Sequence, residues 1–206
     1  MKKNIITALL ALVALAGHAQ EQKPIEGLFK MNETTFNDYI PLLNVKGYQA
    51  FSFDISAIKG KYVTMHFIEY DNGKKVEGYP KLLFPYTFES RGNKLIIGTL
   101  PSETDSIGQL AISWENTVNY GTGLKHKPLY WESENRYIFS YRAIPFDLTT
   151  PLVKDTFIPL LLYCSFWYDE EDKITRCCGD NYIAPDLSST ITKRSPHYYA
   201  IGIMIH

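Results

Sequence analysis

Beyond residue 19, four histidines, three cysteines and one run of acids are the side chains of this 206-residue chain that could do chemistry. His66, His126, His197 and His206 lie far apart, and no pair has the spacing with which neighbouring turns or strands present two imidazoles to one metal. No metal and no cofactor is therefore expected. Asp169, Glu170, Glu171 and Asp172 are consecutive, but they lack the alternating oxygen ligands and central glycine of a calcium loop, so they read as a solvated turn. There is no Gly-x-Ser-x-Gly nucleophile elbow, no phosphate-cradling glycine loop and no His-Glu-x-x-His helix. Two carboxylates that hydrolyse a glycosidic bond need no fixed spacing, which keeps a glycan-active hydrolase as the alternative reading.

The cysteines point to structure. Cys164 falls in one predicted strand, and Cys177 and Cys178 fall in the next, with the four acids between. If those acids form the hairpin loop, Cys164 faces Cys177; a five-residue loop running through Lys173 puts Cys178 opposite instead. An oxidising compartment then predicts a disulfide between Cys164 and Cys177, worth about 3 kcal/mol for a closed loop of about fourteen residues. Either bridge leaves an odd thiol, and without a Cys-x-x-Cys spacing the cluster is not a redox site.

The best candidate for a ligand surface is the segment 114–131. Trp114, Tyr120, Tyr130 and Trp131 bring rings that stack on a sugar or peptide face, while Asn119 and His126 can hydrogen-bond it. Read with Gly121 and Gly123 between the aromatics, the segment is a connection too long for a simple hairpin.

The elements that must position these residues are strands. Period-two alternation recurs from Ile25 onward, and helical periodicity almost never does. A first strand is expected at 25–31, then a short helix at 32–40 capped by Asn32 and stopped by Pro41. Further strands follow at 49–55 and 61–70, the latter ending in Asp71, Asn72 and Gly73, a tight hairpin turn. Pro85 demotes 81–89 to an edge or a bulge. Strands at 94–100, 107–114, 136–144, 157–168, 173–178 and 196–205 complete the pattern. The last is apolar on both faces, which places it centrally. These expectations describe an all-β domain over 20–206: two antiparallel sheets face to face in a jelly-roll-like sandwich, with a closed antiparallel barrel around a small apolar ligand as the alternative.

Composition narrows the partners. The chain carries 21 Lys and Arg against 22 Asp and Glu, a net charge of -1. No basic cluster suits a phosphate backbone, so nucleic acid is excluded as a partner. Aromatic residues make up 14% of the chain, with 15 Tyr and 11 Phe, as expected of half-buried strands. Lys2 and Lys3 precede an apolar run that is too short to span a bilayer, and Gly17 and Ala19 offer small residues to signal peptidase. Cleavage after Ala19 predicts export to the periplasm, the cell surface or the medium. No cysteine lies in that stretch to carry a lipid, and no later segment is long and apolar enough for a membrane helix.

Ser165 to Asp169 (Ser-Phe-Trp-Tyr-Asp), Cys178-Gly179-Asp180 and Ser195 to Tyr199 (Ser-Pro-His-Tyr-Tyr) resemble small secreted domains of unknown function from Gram-negative gut bacteria. The resemblance implies a habitat and brings no catalytic residues. The function expected is an exported, non-catalytic binding or surface module that contacts glycan or peptide through aromatic side chains.

Overall fold

The computed structural model describes residues 35–100, 106–131, 135–176 and 179–206. The expected export signal, the first expected strand, Cys177 and Cys178 lie outside the described residues. Within the unit Phe36–His206, the chain runs through α1 (Phe36–Val45), β1 (Gln49–Asp54), a 3-10 turn (Ser56–Ile58), β2 (Tyr62–Asp71), β3 (Lys74–Lys75), β4 (Lys81–Leu82) and β5 (Phe88–Glu89). It continues through β6 (Lys94–Leu100), β7 (Ile107–Trp114), β8 (Val118–Lys125), β9 (Leu129–Trp131), β10 (Arg136–Ile138) and β11 (Tyr141–Pro145). Last come β12 (Ile158–Ser165), β13 (Trp167–Asp169), β14 (Ile174–Arg176), α2 (Thr190–Arg194) and β15 (His197–Ile205).

Two antiparallel sheets carry the fold. One has the order β1-β6-β7-β8, and the other β11-β12-β15-β2-β3, with β4 and β5 also paired to β2. Alternation decides which side chains lie between them. Phe53, Leu95, Ile97, Leu110, Ile112, Trp114 and Leu124 of the first sheet meet Val63, Met65, Leu161, Tyr163, Tyr199, Ile201 and Ile203 of the second in one buried core. Each such apolar side chain contributes roughly 1.5–3 kcal/mol by leaving water. The expected sandwich is therefore the observed architecture. Among the described residues no barrel closes, because β1 and β8 remain as edges of one sheet and β11 and β3 as edges of the other.

The outer face of the second sheet is covered as well. Ile68, Ile144, Leu162, Cys164, Tyr198 and Ala200 pack there against Phe146, Trp167, Ile183 and Ile191, the last from α2. Strand β15, apolar on both faces, accordingly lies centrally between β12 and β2. Its Gly202 permits this: an added Cβ would lie 2.1 Å from the Ile158 carbonyl oxygen, beside the register shift between Pro159 and Leu161.

Several expectations need correction. Helix α1 continues past Pro41 to Val45, although proline cannot donate the hydrogen bond due to the Asn37 carbonyl. The segment 114–131 is not a loop. A tight turn at Asn116, with φ of 57°, leads into strand β8, which pairs with β7 from Ile107↔Lys125 to Trp114↔Val118. The expected strand 157–168 breaks in two, so β12 and β13 belong to different sheets. The single continuous strand on which the expected pairing of Cys164 with Cys177 rests is thus not present, while Cys177 itself lies outside the described residues. The β13-β14 hairpin aligns Trp167 with Arg176, whereas Cys164 sits in β12 opposite Arg142 and Tyr198, buried in the second core.

Candidate functional site

The outer face of the first sheet is built from small residues. On this face, facing away from Leu95, Ile97, Leu110, Ile112 and Leu124, β1, β6, β7 and β8 carry Ala50, Gly98, Ala111, Ser113, Asn119 and Gly121. The result is a trough that crosses the strands. Helix α1 forms its far wall through Ile40, Leu43 and Asn44, and Tyr48 closes one side, leaving a cavity of about 940 Å³. The position of the helix follows from its C-terminal turn. Gly47 adopts φ of +87°, Tyr48 N–H donates to the Leu43 carbonyl at 3.0 Å, and Thr99 Oγ1 donates to the Gly47 carbonyl at 3.0 Å.

Among the described residues, no Asp, Glu, Lys, Arg, His or Cys lines this cavity. Its described lining therefore places no carboxylate, imidazole or ammonium beside the Ser113 hydroxyl to activate it. What it offers is apolar surface from Ile40, Leu43, Ile96 and Leu100, with amides from Asn44 and Asn119 and the Ser113 hydroxyl at its margin. A charged ligand would be desolvated there without compensation.

The six expected ligand residues are divided among separate places. Asn119 and Tyr120 line the cavity, but the Tyr120 ring points inward, 5.0 Å from that of Phe84. Trp114 is a core residue, 1% exposed, whose indole N–H donates to Ser90 Oγ at 3.2 Å. Burial withholds it from any ligand. Tyr130 is exposed on the β9-β10 hairpin, where its hydroxyl donates to Asn135 Oδ1 at 2.5 Å and its ring lies 5.2 Å from Tyr137. Trp131 ends β9 beside Arg136. His126 belongs to a third group, between the sheets.

That group is a polar network at the end of the sandwich interior. Glu69 of β2 and His197 of β15 both project inward, and His197 Nε2 lies 3.0 Å from Glu69 Oε1. Tyr79 donates to the other Glu69 oxygen. The Tyr141 hydroxyl meets His197 Nδ1 at 2.6 Å and accepts the Lys127 backbone N–H at 2.9 Å. His126 stacks on Tyr141, ring centroids 4.0 Å apart, with its Nε2 at 2.8 Å from the Tyr163 hydroxyl. Because a carboxylate only accepts, the His197 proton sits on Nε2, and Nδ1 accepts from Tyr141.

Burial holds His197 below the usual imidazole range despite the adjacent Glu69. Burial works against the Glu69 carboxylate too, but hydrogen bonds from Tyr79 and His197, with the nearby Lys127 ammonium, outweigh it and hold Glu69 below its usual range. Burial pushes the hydroxyls of Tyr141, Tyr163 and Tyr199 well up. The network is an ionised carboxylate, a neutral imidazole and protonated phenols with their partners in place.

Sequence reasoning missed both walls of the cavity and most of this network. The available signals were the small residues Gly98, Ala111, Ser113 and Gly121 at outward positions of β6, β7 and β8, and the step from apolar to polar at the inward positions Phe67 to Glu69 and Tyr199 to His197.

No curated protein and no solved structure matches the chain. The strands from β5 to β15, which supply most of the cavity floor and all of the central strand, fall within residues 85–206, the stretch that matches a family model. The chain thus belongs to the family described as Domain of unknown function (DUF5041).

Proposed function

We propose that the protein is an exported binding module whose trough between α1 and the first sheet holds, without chemistry of its own, an uncharged, apolar-rich peptide segment. The observation that carries this reading is a cavity of about 940 Å³ that, among the described residues, has no charged or histidine side chain in its lining. Aliphatic walls from Ile40, Leu43, Ile96 and Leu100 suit the side chains of a peptide. The amides of Asn44 and Asn119 suit its backbone groups, in the manner of small-molecule and peptide sites that fix orientation with a few polar contacts. A neutral glycan fits less well, because Tyr48 is the one lining ring turned toward the trough.

The test fills the trough without touching the core. At Gly121 the nearest atom to an added Cβ is the Leu110 carbonyl oxygen at 4.0 Å, so Gly121→Leu extends into open space. Fluorescence anisotropy against a library of neutral, apolar-rich peptides of about nine residues, run beside a glycan array, reads the outcome. Wild-type binding that falls at least about tenfold in Gly121→Leu and Ala111→Leu, with melting temperature held, supports the proposal. Binding to glycans alone, or peptide binding that both variants retain, overturns it.

A further inference from the structure

Strands β2 and β15 carry a second polar group on the opposite, outer face and at their other end. There His206 Nδ1 lies 2.9 Å from Asp155 Oδ1, and His206 Nε2 lies 2.8 Å from Thr64 Oγ1. His66 Nε2 reaches the same Thr64 oxygen at 2.8 Å. Proton accounting fixes the roles. The Asp155 carboxylate only accepts, so His206 carries its proton on Nδ1, and Nε2 of the neutral ring accepts the one proton of the Thr64 hydroxyl. His66 must then donate its Nε2–H to Thr64 Oγ1. Its Nδ1 is left bare, and that atom is buried without a partner.

The backbone at the acid is unusual. Asp155 adopts φ of 54°, its N–H donates to the Ile205 carbonyl at 2.7 Å, and His206 N–H donates to the Tyr62 carbonyl at 2.8 Å. Left-handed backbone in a non-glycine residue costs free energy and clusters at functional sites. Thr64 itself is 6% exposed, while the side chains of His206 and Asp155 are 35% and 62% exposed, so the group opens to solvent on the side of the base. Carboxylate, imidazole through Nδ1 and Nε2, and hydroxyl is the order of groups that activates a hydroxyl for attack.

We propose that Thr64 is an activated hydroxyl nucleophile that accepts an acyl group from small neutral esters reaching this open face. Thr64 Oγ1 bonds to the ester carbonyl carbon as its proton passes to His206 Nε2. The carbonyl carbon's bond to the leaving oxygen then breaks, and that oxygen takes the proton from His206 and departs as an alcohol. Water, deprotonated in turn by His206, attacks the Thr64 ester, releases the carboxylic acid and restores the hydroxyl. Asp155 orients His206, and His66 is a positioning residue that holds the Thr64 oxygen so its proton faces the base.

The experiment exposes the full chain to p-nitrophenyl acetate and, separately, to a fluorophosphonate that is retained covalently. Intact mass and peptide mapping read the outcome. The expected result is one fluorophosphonate adduct at Thr64, about 100-fold slower to form in His206→Gln, the size of effect that general-base assistance supplies. It should persist in Thr64→Ser and vanish in Thr64→Val. The p-nitrophenol release rate should fall in His206→Gln in parallel with the labelling rate. Thr64→Ser guards against a Thr64→Val variant that fails to fold. An unlabelled wild type, adducts on lysine or tyrosine alone, or labelling at Thr64 that ignores His206→Gln overturns the proposal.

Discussion

The two histidine groups on β2 and β15 share strands but not a design. Inside the sandwich, both oxygens of Glu69 and both ring nitrogens of His197 have partners, and the His197 side chain is 1% exposed. On the outer face, one buried nitrogen of His66 has none, two imidazoles bond one hydroxyl, and the carboxylate stands in solvent. A polar network with every member satisfied specifies a single packing, whereas an unsatisfied one stores free energy that a reactant can release. The first group holds the fold, and the second has groups left to use.

Removing a member of the inner network is the largest test of this difference. His197→Ala leaves the Glu69 carboxylate short of a partner and the Tyr141 hydroxyl without its acceptor, both beside the core. The expected cost is about 3 kcal/mol, read as a lower denaturant midpoint at unchanged slope. A loss below about 1 kcal/mol would mean that water replaces the imidazole and that the network is not closed.

Packing around the same network gives a second, smaller effect. An added Cβ at Gly108 would lie 2.3 Å from the Tyr163 hydroxyl and 2.4 Å from His126 Nε2. Gly108→Ala must therefore push apart the two groups that hydrogen-bond at 2.8 Å, at about 2 kcal/mol for overpacking of this kind. A variant with unchanged stability would show that His126 can swing out freely, and that the stack on Tyr141 does not fix it.

Acid should weaken the fold through both groups, and the sign can be worked out. Burial holds His197 and His66 below the ordinary imidazole value of 6.5, with His206 adding to the effect on His66. Below pH 6.5 the unfolded chain binds protons that the folded chain does not, so stability falls as pH drops, until the folded values are passed. Glu69, held below 4.5, continues the loss on further acidification. Urea midpoints measured from pH 8 to pH 4 check this: the midpoint should decline below about 7, and His66→Gln should reduce that decline. A midpoint flat from pH 7 to pH 5 would contradict neutral, buried imidazoles.

How much of this the sequence discloses depends on how local the cause is. Strands β1, β2, β6, β7 and β15 follow from alternation, and the Asn72-Gly73 turn follows from two residues that tolerate positive φ, 48° and 73°. Strand β8 was hidden because Gly121 and Gly123 suggest a loop, although Val118, Tyr120, Thr122 and Leu124 keep the inward period. Of its two glycines Gly121 faces the trough, where the absence of a side chain helps make the cavity. Neither histidine group is legible at all. Glu69 and His197, or Thr64 and His206, meet only because β15 pairs antiparallel with β2 across more than a hundred residues of chain, and no local pattern records that register. The family match reaches one strand of each pair, since β15 lies inside residues 85–206 and β2 outside them.

The smallest expected effect sharpens the comparison most. His206→Ala removes the base of the outer group, yet its ring is 35% exposed and its carboxylate partner 62% exposed, so solvent screens the pair and water can replace both contacts. Exposed pairs of this kind are worth at most about 1 kcal/mol, and the Thr64 hydroxyl still finds His66 beside it. The variant should therefore fold with a denaturant midpoint close to wild type, in contrast to His197→Ala, although both lose one imidazole hydrogen-bonded to a hydroxyl and a carboxylate on the same two strands. Measured side by side at pH 7.5, the two losses should differ by about 2 kcal/mol or more. Equal losses would mean that burial does not separate the two groups, and that the outer one is as much a part of the fold as the inner.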